Sequence, residues 1–230
     1  MSIRKNIQMI NEDISKFAEE SQRSASDVKL IAVTKLHSPE EINEAIKCGV
    51  TDIGENKVQE IQEKYDKVDK VNWHLIGHLQ RNKVKYIIDK VYMIHSVDSL
   101  KLAEEINKRA GQHGIMMKIL IQVNAEGEES KFGIKPSELD DLISEVHEKC
   151  DNIEICGLMA IAPFYDNPED ARPCFKTVKS LFDTYKCDER DRVNFATLSM
   201  GMSGDFKQAI SEGATHVRIG TAIFGARDYR

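Results

Sequence analysis

The sequence predicts an α/β fold, a single (β/α)8 TIM barrel with an extra N-terminal helix. Three observations carry this. Eight short apolar runs alternate with amphipathic stretches across most of the 230 residues, which implies a parallel sheet joined by right-handed crossovers. No G-x-G-x-x-G follows the first run, which removes the main sign of an open dinucleotide-binding sheet. The longer loops, Asn124 to Gly133 and Pro163 to Asn167, fall after the fifth and sixth runs, where a barrel carries its functional face.

Ile3, Ile7, Ile10, Ile14 and Phe17 recur at helical spacing, so residues 2–20 form the extra helix. Val28 to Thr34 is a nearly continuous apolar run ending at Lys35, as a strand covered on both faces requires. Ser38-Pro39-Glu40-Glu41 then supplies an N-cap, a proline at the first helical position and a capping-box acid, and Gly49 ends that helix. Further strands are expected at Asp52-Ile53, Trp73 to Ile76, Tyr92 to Ser96, Met117 to Val123, Ile155 to Ile161, Phe195 to Leu198 and His216 to Ile219. Helices between them are expected at Lys57 to Asp66, Asn82 to Asp89, Ser99 to Ala110, Pro136 to Cys150, Pro168 to Tyr185 and Asp205 to Glu212. Residues 1–230 are read as one domain.

Composition excludes several classes. A formal charge of −6 with scattered Lys and Arg leaves no basic footprint for nucleic acid. The Lys64 to Lys70 region, where lysines alternate with acids, reads as a solvated helix face. No apolar run approaches the roughly 18 residues of a membrane span, and the charged N-terminus is unlike a signal region. A cytoplasmic protein with no membrane partner is expected. Five cysteines without a C-x-x-C pair argue against disulfides and zinc, and predict mostly buried, reduced thiols.

The chemistry is concentrated in Thr197 to Gly225. A strand runs into the turn Ser199 to Ser203, a helix opens near Ser203, and a second strand ends in Gly220-Thr221 with Arg218 beside it. Two strand exits with glycine N–H groups and hydroxyls suit a phosphate monoester, although such turns are also common structural punctuation. Closing the barrel places the eighth strand beside the first, so Lys35 lands next to Gly220 and Thr221. A lysine there is a solvated strand end, an ion-pair partner of the phosphate, or a Schiff-base former; spacing does not separate these. Arg218 is equally compatible with a structural ion pair. Ser203 is placed as an N-cap, Trp73 as core, and His74 with His78 lacks the helical context of a metal pair.

Seven blocks in order resemble the pyridoxal-phosphate homeostasis proteins, the YggS/PROSC family. They are VTK at 33–35, IGENKVQE at 53–60, WHLIGHLQRNKVK at 73–85, VNAEGEESKFG at 123–133, GLMAIAP at 157–163, LSMGMSGD at 198–205 and VRIGTAIFG at 217–225. The resemblance implies a fold-type III barrel related to the alanine racemase N-terminal domain, with pyridoxal 5'-phosphate (PLP) as cofactor. By that resemblance Lys35 would hold PLP as an internal aldimine, Ser199, Gly220 and Thr221 would grip its phosphate, Asn56 would face the ring, and Arg218 would point at the pyridine nitrogen. A charged guanidinium there keeps the nitrogen unprotonated and weakens the ring as an electron sink.

The expected function is therefore a non-catalytic carrier acting in PLP and, indirectly, amino-acid homeostasis, with PLP-dependent apoenzymes as candidate partners. The chain stops five residues after Gly225, so no second domain of the racemase type is expected, and with it no dimer contacts; a monomer follows. A racemase needs a base on each face of the α-carbon, and Lys35 supplies one. A minimal PLP-dependent racemase or lyase is the alternative, and a cofactor-free sugar-phosphate barrel is a third.

Overall fold

In the computed structural model, which describes residues 2–127 and 132–225, eight parallel strands close a barrel in sequence order. They are β1 (Lys29–Val33), β2 (Asp52–Glu55), β3 (Asn72–Leu75), β4 (Met93–Val97), β5 (Met117–Gln122), β6 (Ile153–Met159), β7 (Val193–Met202) and β8 (His216–Ile219). The helices are α1 (Ile3–Glu20), α2 (Pro39–Lys47), α3 (Val58–Lys64), α4 (Leu100–His113), α5 (Leu139–Lys149), α6 (Arg172–Thr184), α7 (Phe206–Ser211) and α8 (Thr221–Phe224). The main core fills the space between barrel and helices. Ile7, Ile10, Ile14 and Ala18 bury one stripe of α1 there, and α1 packs against α2, α7 and α8. At α2 the expected capping box forms, with Ser38 Oγ accepting from Glu41 N and the Glu41 carboxylate accepting from Ser38 N at 2.8 Å.

Three elements differ from expectation. The stretch expected as a helix at Asn82 to Asp89 is a six-residue 3₁₀ segment over Arg81–Tyr86, longer than the roughly three or four residues usual for that winding. β7 does not end at Leu198 but runs on through Met202. Ser199 pairs with His216 while Met202 pairs with Arg218, so three steps on β7 oppose two on β8. Gly201 absorbs that bulge at φ +90°, and a Cβ there would lie 2.5 Å from the Ala209 Cβ. The third difference is α8, a single turn after Gly220.

The bulge decides what Ser199 can do, because it keeps this residue inside the barrel wall instead of in a solvent-facing turn. Alternation along the strands assigns the lumen. A Cβ on Gly54 would meet Ile31 Cγ2 at 3.0 Å and Ile76 Cδ1 at 2.9 Å, so these three share the inner face. His74, two residues before Ile76, and Arg218, the register partner of Ile31, lie on that face too.

Candidate functional site

At the end of β1, Lys35 is half-buried in the turn that follows Val33, and the alternation of Ile31 and Val33 carries it toward the barrel mouth. β1 and β8 pair with Ala32 opposite Ile219, so Gly220 stands one step on, at the level of Val33. The expected neighbourhood of Lys35 and the Gly220-Thr221 exit is therefore present.

A buried polar cluster grips the backbone on both sides of Lys35. Thr34 donates its hydroxyl proton to Glu55 Oε1 at 2.7 Å. The Lys64 ammonium donates to the Thr34 carbonyl at 2.9 Å, to Glu55 Oε1 at 2.9 Å and to Glu60 Oε2 at 2.7 Å. Glu60 Oε2 also accepts the Leu36 N–H at 2.7 Å. Leu36 has φ +67°, a conformation that costs a non-glycine residue roughly 1–2 kcal/mol and is offset here by that charge-assisted bond. Burial raises the Glu55 carboxyl above its ordinary pKa against the pull of Lys64. Burial also acts on Glu60, but the bonds from Lys64 and Leu36 outweigh it and hold that carboxyl low. Lys64 thus departs from the solvated face expected of it: its side chain is only 9% exposed, because the last turn of α3 packs beneath the ends of β1 and β2.

Asn56 follows β2 and is half-buried. The backbone at Gly77 passes so close that a Cβ there would lie 2.4 Å from the Asn56 carbonyl oxygen, which fixes the Asn56 backbone from the β3 side.

Arg218 sits within the barrel, 3% exposed. Its Nη1 donates to Ser199 Oγ at 2.7 Å and its Nη2 to the Ala160 carbonyl at 2.8 Å. Two of its five N–H groups are so used. Burial lowers its pKa to about 10, with Asp205 acting in the opposite direction, and it remains a cation at neutral pH. Ser199 is fully buried, and its hydroxyl also lies 3.0 Å from His95 Nδ1. His95 Nε2 lies 2.8 Å from His74 Nδ1, and His74 Nε2 lies 2.9 Å from Asp52 Oδ1.

The two loops of the expected phosphate cup are tied together: Gly220 N donates to Ser203 Oγ at 3.3 Å. Ser203 therefore bridges strand exits instead of capping a helix. α7 takes Asp205 as its N-cap residue, and Asp205 Oδ1 accepts the Met202 N–H at 2.6 Å. Gly220 is buried and Thr221 exposed. On α8, Phe224 stacks on His37 at 4.4 Å, which joins this exit to the Lys35 turn.

Trp73 is core, 3% exposed. His74 and His78 do not converge: His74 faces the lumen, whereas His78 stacks on Phe132 at 3.9 Å. Among the described residues no group of His, Cys, Asp and Glu could hold a metal ion. Of the loop at 124–133, residues 128–131 lie outside the described residues, while Asn124 N bonds the Ile134 carbonyl at 2.8 Å. Sequence reasoning missed Asp52, His95, Glu55, Glu60 and Lys64. A signal existed for the first two: Asp52, His74 and His95 are polar residues on the alternating inner face of consecutive strands.

The family model described as "Alanine racemase, N-terminal domain" matches residues 6–228. The chain is 43% identical over 231 residues to the pyridoxal phosphate homeostasis protein of Aquifex aeolicus (strain VF5), covering all of both chains. It belongs to the pyridoxal phosphate homeostasis protein family. The human member is 35% identical, with 97% of this chain and 86% of that one covered. Among solved structures, PipY of Synechococcus elongatus PCC7942 with PLP bound superposes at TM-score 0.81 with 32% identity, covering 97% of this chain and all of PipY. The (β/α)8 barrel and the family expected from the seven blocks are thus both established.

Proposed function

We propose that this chain binds PLP at the C-terminal mouth of the barrel and serves PLP homeostasis as a reversible carrier. The observation that carries this is the joining of three groups at one mouth: the Lys35 turn, the Gly220–Ser203 bridge one register step away, and a buried Arg218 with unused donors. PLP supplies an aldehyde that condenses reversibly with a primary amine, a ring nitrogen and a phosphate. Lys35 is the attachment residue, through a Schiff base. The Gly220-Thr221 exit takes the phosphate through the Thr221 N–H and hydroxyl, while the Gly220 N–H holds Ser203; Asn56 flanks the ring, and Arg218 donates to the ring nitrogen. PipY, 32% identical, has been solved with PLP bound, which supports the ligand assignment.

A carrier is favoured over an enzyme because Arg218 keeps a positive charge where a strong electron sink would need a protonated ring nitrogen. The relatives named above are called homeostasis proteins. The same reading places the protein in the cytoplasm, as a monomer that supplies PLP-dependent apoenzymes. Five free thiols among the described residues suit a reducing compartment, and no helix among them is long and apolar enough to cross a membrane. The test is a PLP titration followed by visible absorbance: the wild type develops a saturable band and Lys35→Ala does not. Equal bands in both, or steady turnover of a common amino acid near ordinary enzyme rates of order 10 per second, would contradict the carrier.

A further inference from the structure

We propose that Asp52, His74, His95 and Ser199 form a one-directional donor chain that positions Arg218, and that Ser199 acts on the ring end of the ligand through Arg218 and not on its phosphate. The order of protons follows from the ends inward. Asp52 is a carboxylate: burial opposes its ionisation, but bonds from His74 and Thr51 and the charge of Lys29 hold its pKa down to about 2. It can only accept, so His74 donates from Nε2. Burial keeps His74 neutral, so its single proton is on Nε2 and its Nδ1 accepts. His95 must then donate from Nε2 across the 2.8 Å contact.

His95, fully buried, is held neutral by burial first, with the electrostatic effects of His74, Arg218 and His216 acting in the same direction. Its Nδ1 therefore accepts, and the proton it accepts belongs to the Ser199 hydroxyl. Ser199 has one proton and two lone pairs. With the proton directed to His95, a lone pair receives Arg218 Nη1 at 2.7 Å. Donation runs in one sense throughout, from Arg218 through Ser199, His95 and His74 to Asp52.

The other groups packed around the chain agree with this order. Asn72 Nδ2 donates to Asp52 Oδ1 at 3.2 Å, Thr51 Oγ1 donates to Asp52 Oδ2 at 2.7 Å, and Lys29 Nζ is 3.7 Å from the same carboxylate. Tyr92 meets His74 edge-on. His216 is kept neutral by burial, at about 3, and lies 3.0 Å from Thr215 Oγ1 through its Nδ1. Asp205 is the acid that acts on Arg218 from the β7 exit. A hydroxyl fixed in this way has no proton left for a phosphate oxygen, which moves Ser199 from the phosphate role expected of it to a positioning role.

The proton order is independent of any ligand, whereas the consequence for binding rests on the reading of Arg218 as the ring-nitrogen partner. The experiment separates the two. Long-range proton–nitrogen correlation spectra of the wild-type protein without ligand, at pH 7, are expected to show His74 and His95 both neutral and both protonated on Nε2. Either ring protonated on Nδ1, or doubly protonated, would overturn the chain. Ser199→Ala is then titrated with PLP and with pyridoxal, which has the same ring and aldehyde but no phosphate. Loss of one hydrogen bond to a charged donor is expected to weaken both ligands by a similar factor, about tenfold. A loss confined to PLP would make Ser199 a phosphate ligand and overturn the assignment. Wild-type protein that binds neither ligand would instead refute the PLP reading, with the histidine spectra still testing the chain.

Discussion

The two ends of the site are held by opposite kinds of polar structure. At the lysine end, the turn carrying Lys35 is clamped by full charges, with Lys64 between Glu55 and Glu60, and this ion cluster reaches the turn through Thr34 and Leu36. At the arginine end the direct hydrogen bonds of the Arg218 cation go to neutral groups, the Ser199 hydroxyl and the Ala160 carbonyl. The Asp52 carboxylate stands at the far end of the chain behind Ser199, and Asp205 acts from the β7 exit. The difference suits the two tasks. A rim turn is fixed by strong, short-range ion pairs, whereas a cation that must keep donors for a ligand is better held by acceptors that do not neutralise it.

Breaking the lysine end should cost the most. Lys64→Met leaves the buried Glu55 and the half-buried Glu60 without their cation and is expected to lower unfolding free energy by about 3–5 kcal/mol, measured by urea denaturation. A loss under about 1 kcal/mol would mean that the ion cluster does not clamp the turn. Acidification tests the other end. His216, at about 3 in the folded state, is lower than the ordinary imidazole value near 6.5. The unfolded chain therefore binds the proton first, and stability is lost as pH falls below about 6.5. For this one residue the loss between pH 7 and pH 5 is about 2 kcal/mol, with His74 and His95 adding in the same direction. Glu60 contributes only in the carboxylate range below about 4.3, and the raised Glu55 opposes it. Urea midpoints unchanged between pH 7 and pH 5 would contradict buried neutral histidines.

Ser199→Ala is expected to cost about 1–3 kcal/mol, because Arg218 Nη1 and His95 Nδ1 lose a partner inside the barrel. This is less than the Lys64 change, since it strands no second charge; the reverse order in urea denaturation would break the comparison. Arg218→Ala should weaken PLP retention about tenfold, as loss of one charge-assisted bond implies, and shift the absorbance of the bound ring. An unchanged spectrum and affinity would mean that Arg218 does not reach the ring.

Much of the fold was legible because short apolar runs and capping signals are local. The barrel order, the Ser38 cap and the juxtaposition of Lys35 with Gly220 all follow from alternation and closure. What escaped depended on register. The bulge at Gly201 is a two-strand property, so the sequence of the Ser199 to Ser203 stretch reads as a turn, while pairing with β8 draws Ser199 into the wall. Lys64 reads as surface because its neighbours in sequence are charged; its burial depends on where α3 lands beneath β1 and β2. In sequence His74 stands nearest to His78, four residues away, whereas its partner in space is His95 on the next strand.

The central claim is that one lysine of this chain, at the mouth of the barrel, receives the PLP aldehyde. Borohydride reduction of the protein with one equivalent of PLP, followed by peptide mapping of the modified residue, tests it most directly. The account predicts a single label on Lys35 that disappears in Lys35→Ala. Label spread over surface lysines, or a single label elsewhere, would contradict it.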